Sequence, residues 1–408
     1  MNSKGIAAVA KTIRSLSIDA IQKANSGHPG LPLGCAELAA LLYGEILKHN
    51  PADSKWADRD RFVLSAGHGS MLLYSVLHLA GYKITLEDIK NFRQVGSVCC
   101  GHPEYGITDG VENTSGPLGQ GIALAVGMAL AESMLEAKYN TPAHKIVNHY
   151  TYALVGEGCL EEGVSSEACS FAGHNKLGKL IVFYDENRIS IDGSTDITFT
   201  EDIGKRYEAY GWQVLRGDMY KPAGIVKLVE KAKKCKDKPT LIILKSIIGF
   251  SSPKQGTADT HGAPLGADGI KHAKKVLGLP EDKDFYVVPE AYEYFAAKKA
   301  EFQAAEDRWN AEFEAWSKEN PDLRKKWDEF HSDSATSDVA DVEFADTDKM
   351  ATRDASGKAL NMMCQKYGNI VGGSADLAGP NKTVLKDCDG IYTPRSEERR
   401  VGKECRSR

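Results

Sequence analysis

The sequence predicts an α/β protein, a parallel sheet flanked by helices, and three observations carry that prediction. Short apolar runs alternate with helical patterns throughout residues 1–330. Each run ends in a polar, usually glycine-rich turn, the place where open parallel sheets bind their ligands. The composition, 42% hydrophobic and 26% charged over 408 residues, is that of an ordinary soluble globular chain long enough for two to three domains of about 150 residues.

The elements follow in chain order. Between Met1 and Gly27 the apolar residues Ile6, Val9, Ile13, Leu16 and Ile21 recur at helical spacing, so this stretch reads as a packed helix and not as a signal peptide. The first strand is Phe62–Leu64, running into Ser65-Ala66-Gly67-His68. A second is Tyr152–Val155, before Gly156-Glu157-Gly158. Two more are Leu180–Tyr184, before Asp185-Glu186-Asn187, and Leu241–Leu244, before Ile248-Gly249-Phe250. Helical patterns at Ile122–Tyr139 and Gly163–Leu177 lie between them. Over 290–330, Phe295, Phe302, Ala305, Trp309, Phe313 and Trp316 recur among Glu and Lys, which predicts one long amphipathic helix. Residues 331–349, rich in Ser, Asp, Ala and Thr, read as an interdomain linker. A second unit opens over 350–394 and is too short to close a domain of its own. The tail 395–408, RSEERRVGKECRSR, has almost no apolar residues and reads as non-native sequence; its three glutamates argue against a basic nucleic-acid tail.

Composition excludes several functions. The net charge of −5, from 51 basic and 56 acidic residues, gives no reason to expect nucleic-acid binding. No run of about 18 apolar residues is present, so no transmembrane helix is expected. Nine scattered cysteines without a CxxC pair argue against a disulfide framework or structural zinc, and point to reduced thiols and a cytoplasmic location.

Three constellations carry chemistry. Glu157, between two glycines, and Asn187 each follow a predicted strand, so a carboxylate and an amide oxygen can meet at one sheet edge, a donor pair suited to a hard divalent cation. An ordinary turn and a helix-capping Asn account for these residues equally well. Gly116-Pro117-Leu118-Gly119-Gln120-Gly121 opens an alanine-rich helix and can receive a phosphate, or it can serve close helix packing. Its glycines do not follow GxGxxG order, which argues against a nicotinamide-dependent dehydrogenase. His28, His68, His102 and His261 all sit in polar turns, where imidazoles orient hydroxyls and carry protons near neutral pH. His49, His78, His144, His149 and His174 lack such context and read as structural.

Together, Ser26-Gly27-His28-Pro29-Gly30, Gly67-His68, Gly101-His102-Pro103-Glu104, Gly116–Gly121, Gly156-Glu157-Gly158 to Asn187 and His261-Gly262-Ala263-Pro264 stand in the order and spacing of the transketolase family. The resemblance runs from about residue 5 to about residue 394. Residues 1–330 resemble that family's pyrophosphate-binding domain. Ala351-Thr352-Arg353 and Gly373-Ser374-Ala375-Asp376-Leu377 resemble the opening of its pyrimidine-binding domain, making the second α/β domain incomplete. The resemblance implies the thiamine-diphosphate-binding fold and thiamine diphosphate with Mg²⁺ or Ca²⁺ as cofactors. It implies metal ligands Glu157, Asn187 and the Ile189 carbonyl, and cofactor contacts from His68, Gly116, Leu118, Gly158, Asn187 and His261. Sugar phosphates would meet His28, His102, His261 and Arg353, with His28 and His261 catalytic. Glu162 and Glu167 fall where the family forms a homodimer interface.

The implied reaction is transfer of a two-carbon ketol unit from a ketose phosphate to an aldose phosphate in the pentose phosphate pathway. Dihydroxyacetone synthase and deoxyxylulose-phosphate synthase are alternatives within the class. Three departures qualify the match. Glu157 stands where the family usually has Asp, Pro380 falls at a phosphate-binding Ser, and the glutamate that activates the aminopyrimidine is not reached. The last leads to an expectation of binding or dimerisation without turnover for the chain as written.

Overall fold

The computed structural model describes residues 1–332, 343–345, 349–367, 369–374 and 376–386. Five strands pair in parallel in the order β1-β2-β3-β5-β4: β1 (Arg61–Leu64), β2 (Thr151–Val155), β3 (Leu180–Glu186), β4 (Gln213–Asp218) and β5 (Thr240–Lys245). Arg61 stands opposite Thr151, Thr151 opposite Leu180, and Thr240 opposite both Ile181 and Gln213. Because all strands run the same way, the segments that leave their C-terminal ends gather along one edge of the sheet.

β2 is buried at every position, as expected of a parallel strand covered on both faces. β4 is the strand that sequence reasoning did not anticipate. It is one of the two edge strands, half-exposed, and its Gln, Arg and Asp carry no continuous apolar run. Helices surround the sheet. Helix α1 (Ser3–Ala24) is capped by the Asn2 side chain, which accepts from the Gly5 N–H, and ends at Asn25 in the left-handed conformation (φ 48°). It is buried on nearly every side, so its few polar groups need partners: Arg14 donates to the Leu33 carbonyl at 2.8 Å and makes a two-pronged bond to Glu37 at 2.8 and 2.6 Å. Helix α2 (Gln120–Tyr139) follows the glycine-rich segment, and helix α3 (Gly163–His174) joins the Glu157 turn to β3.

The chain divides into two compact units, one formed by Met1–Ser133 with Val147–Asn310, the other by Met134–Ile146 with the described residues from Ala311 onward. In the first, Ala291, Tyr294, Phe295 and Phe302 join the main apolar core. In the second, Tyr139 meets Trp316 and Trp327 edge-on at 6.4 and 5.0 Å, and His144 bridges Glu312 (2.9 Å) and Glu319 (3.0 Å). The single helix expected over 290–330 is two, α5 (Pro289–Glu319) and α6 (Pro321–Phe330), numbered after α4 (Gly266–Leu277). Pro321 has no N–H to continue the first helix and instead starts the second. Helix α7 (Thr352–Lys366) follows in the second unit. The tail 395–408, most of the linker 331–349 and Ala375 of the Gly373–Leu377 motif lie outside the described residues. Cysteines 35, 99, 100, 159, 169, 235 and 364 are free thiols, and no described helix is long and apolar enough to cross a membrane.

Candidate functional site

Glu157 begins the short helix that leaves β2, and it is 3% exposed. Its Oε1 accepts the backbone N–H groups of Asn187 (2.8 Å) and Arg188 (2.6 Å), at the turn after β3. That turn requires Arg188 to adopt a left-handed φ of 62°. Asn187 donates through Nδ2 to Asp185 at 2.9 Å and accepts through Oδ1 from the Ile189 N–H at 2.9 Å. Asp185 in turn accepts from the Ser246 hydroxyl at the end of β5. Burial, and then the Asp185 carboxyl, push Glu157 up to about 8; burial raises Asp185 as well. Two carboxyl groups desolvated side by side favour a cation between or beside them. Among the described residues no group of three His, Cys, Asp or Glu side chains could hold a metal. A cation here would need amide, carbonyl and external oxygens.

The glycines divide between the two roles left open above. A Cβ at Gly121 would lie 2.5 Å from Ser65 Cα, and one at Gly67 would lie 2.6 Å from Ser115 Oγ. These glycines serve close packing of the α2 entry onto the β1 turn. Gly158 has its counterpart in Leu118, whose Cδ1 would be 2.7 Å from an added Cβ. Gly156 faces open space within 4 Å, and Gly116 sits only against the His102 ring, at 3.6 Å. The sheet edge is therefore lined by backbone that a ligand can approach.

All four singled-out histidines meet. Ring centroids are 5.2 Å apart for His28–His68, 6.3 Å for His28–His102, 5.8 Å for His28–His261 and 5.0 Å for His68–His261. Burial and mutual proximity lower His28 to about 4 and His68 to about 3; burial also lowers His102 and His261. At neutral pH these are uncharged imidazoles, each with one N–H donor and one acceptor. His261 Nδ1 is buried without a hydrogen-bond partner.

Arg353 lies, exposed, in the first turn of α7 in the second unit, and Pro380 is an exposed turn residue there. Glu162 and Glu167 are exposed around the start of α3. Sequence reasoning missed Asp185 and Arg93. An acid closing a buried apolar strand, two residues before Asn187, was a usable signal for Asp185. Arg93 reaches the Ser26 hydroxyl (2.8 Å) and His28 Nδ1 (3.5 Å), and nothing local marks it.

Residues 6–335 match the family described as transketolase, thiamine diphosphate binding domain. The chain belongs to the transketolase family. It is 59% identical over 411 residues to the transketolase of Treponema pallidum strain Nichols, covering 99% of this chain and 61% of that protein. To transketolase 1 of Escherichia coli K12 it is 51% identical over 393 residues, covering 94% and 59%. Among solved structures, Pichia stipitis transketolase in complex with sedoheptulose-7-phosphate superposes with a TM-score of 0.90 at 42% identity, over 99% of this chain and 60% of that one. Leishmania mexicana transketolase gives 0.86 at 42% identity, over 93% and 57%. The chain thus spans about three fifths of these transketolases, and its parallel sheet with flanking helices is their thiamine-diphosphate-binding fold.

Proposed function

We propose that this chain forms the cofactor-binding part of a transketolase that moves a two-carbon ketol unit from a ketose phosphate to an aldose phosphate. The observation that carries the reading is the buried Glu157 carboxylate, held by the Asn187 and Arg188 amides at the same sheet edge as the histidine ring. The residues fit thiamine diphosphate with a divalent cation. Gly156 and Gly116 leave room for a diphosphate, the carboxyl pair calls for a cation, and the buried His261 Nδ1 has a bond still to make.

Glu157, the Asn187 side chain and the Ile189 carbonyl would hold Mg²⁺ or Ca²⁺. His68, Gly116, Leu118, Gly158 and His261 would hold the cofactor. Thiamine diphosphate, when bound, supplies a nucleophilic carbon and an electron sink for cleavage beside a ketose carbonyl. Neutral His28, His102 and His261 orient sugar hydroxyls and can pass protons between them, and Arg353 suits a phosphate. Sugar phosphates as substrates are supported by the Pichia stipitis complex. The division into 1–330, 331–349 and 350–394, a homodimer through Glu162 and Glu167, and a cytoplasmic setting belong to the same reading.

Calorimetric titration of thiamine diphosphate into the chain, with and without Mg²⁺ or Ca²⁺, tests it. The expected result is saturable binding that requires the metal. Binding indifferent to metal and to Glu157→Gln would overturn the assignment.

A further inference from the structure

Arg93 is the one guanidinium in contact with the histidine ring among the described residues, and no step above uses it. It sits in a left-handed backbone conformation (φ 61°), with its N–H donating to the Cys99 carbonyl at 3.0 Å. The side chain therefore leaves the strand of loop that leads to His102 and passes between two site loops. On one side Nη1 donates to Ser26 Oγ at 2.8 Å, in the loop that carries His28. On the other, a Cβ on Gly101 would lie 3.3 Å from Nε, so the glycine before His102 leaves the room the guanidinium occupies. Nη2 then faces His28 Nδ1 at 3.5 Å.

An arginine has only donors and stays charged at any ordinary pH. A proton on His28 Nδ1 would set two donors face to face. A lone pair there accepts instead, which places the remaining proton on Nε2. We infer that Arg93 is a positioning residue that fixes His28 as the tautomer with its proton on Nε2. The other titratable groups facing His28 are His68, His102 and His261; His261 and His102 disfavour charge on it, as Arg93 does. None supplies the directional contact at Nδ1 that Arg93 does. His28 then presents a fixed N–H donor to the site, suited to a hydroxyl or carbonyl oxygen of a sugar. That use of the donor rests on the ketol-transfer reading; the tautomer itself does not.

Long-range proton–nitrogen NMR of the chain labelled in histidine reads the tautomer directly, with His28 assigned from a His28→Gln sample. The native protein is expected to show His28 as Nε2–H throughout neutral pH. Arg93→Met is expected to bring in an Nδ1–H population and move the His28 titration to higher pH, with the other histidine signals in place. Arg93→Lys, which keeps a donor and the charge, should restore much of the native pattern, and Ser26→Ala should give a smaller change in the same direction. An Nδ1–H signal in the native chain, or an unchanged His28 in Arg93→Met, overturns the inference. An altered His28 in Arg93→Met, alongside turnover in the intact enzyme that survives His28→Gln, would sustain the inference and sink the sugar role.

Discussion

Glu157 Oε1 accepts two backbone amides of the turn after β3, and the charged group that acts on it is a second carboxyl, Asp185. Glu157→Gln should therefore weaken metal-dependent binding of thiamine diphosphate by about 10- to 100-fold or more, the range that supporting residues of metal sites already produce. Titration of the variant checks this, and an unaltered affinity would contradict it. The extra methylene relative to Asp also suits the larger, less rigid Ca²⁺ shell. Ca²⁺ should support cofactor binding at least as well as Mg²⁺, and Glu157→Asp should move the preference toward Mg²⁺. His49 offers a pH test away from the site. It is fully enclosed between the Tyr82 hydroxyl (3.0 Å) and the Tyr43 carbonyl (2.8 Å), and burial lowers it to about 4. Below pH 6.5 the unfolded chain takes up a proton that the folded chain refuses, so its contribution to stability is lost as pH falls toward 4. His49→Gln should reduce the stability difference between pH 6.5 and pH 5 by on the order of 1–2 kcal/mol, measured by urea unfolding at both values.

At the scale of elements, close backbone approaches decide where substitutions fail. Gly173, in the last turn of α3, would place a Cβ 1.8 Å from the Tyr210 carbonyl oxygen, and no side-chain motion relieves a clash with backbone. Gly173→Ala should lower stability by about 1–3 kcal/mol in chemical denaturation, although alanine is the better helix former. A neutral or stabilising result would mean that α3 shifts freely. The strands that carry the site were legible because each is buried on both faces and written as an unbroken apolar run, as in Leu180–Tyr184. β4 was not, because it is half-exposed along its length and Gln213-Val214-Leu215-Arg216 has no such run. The break at Asn320 was legible in Pro321, but the aromatic spacing that predicts the helix stops at Trp316 and gives no sign of it. For the site, turns with His, Gly or Glu were visible because chemistry there is written in residue type. Arg93 was not singled out, since its role lies in contacts with segments distant in the chain, about which residue type alone is silent, whereas Asp185 was marked by its place at the end of a buried apolar strand and was passed over.

Across the whole sheet-bearing unit, α4 is tied to α1 by a buried charge pair. Lys274 Nζ lies 2.9 Å from Asp19 Oδ1, with both side chains almost wholly enclosed, and it also donates to the Lys283 carbonyl at 2.9 Å. Asp19 accepts the Phe285 N–H at 2.7 Å. Removing one partner leaves an uncompensated charge, so Lys274→Met should destabilise by roughly 3–5 kcal/mol. The double variant Lys274→Met with Asp19→Leu should recover a large part of that loss. Thermal unfolding of the three proteins decides the matter, and additive effects would show that the two groups act separately.

The strand order holds a consequence for how the protein is made. β5 is the last strand of this sheet to be synthesised, yet it lies between β3 and β4. The interior of the sheet must therefore wait for it, and the segment that follows it brings His261 to the three earlier histidines. A growing chain therefore carries His28, His68 and His102 well before His261 can join them. Capture of a small molecule at this edge would then report that synthesis had passed His261 and that the whole sheet had closed.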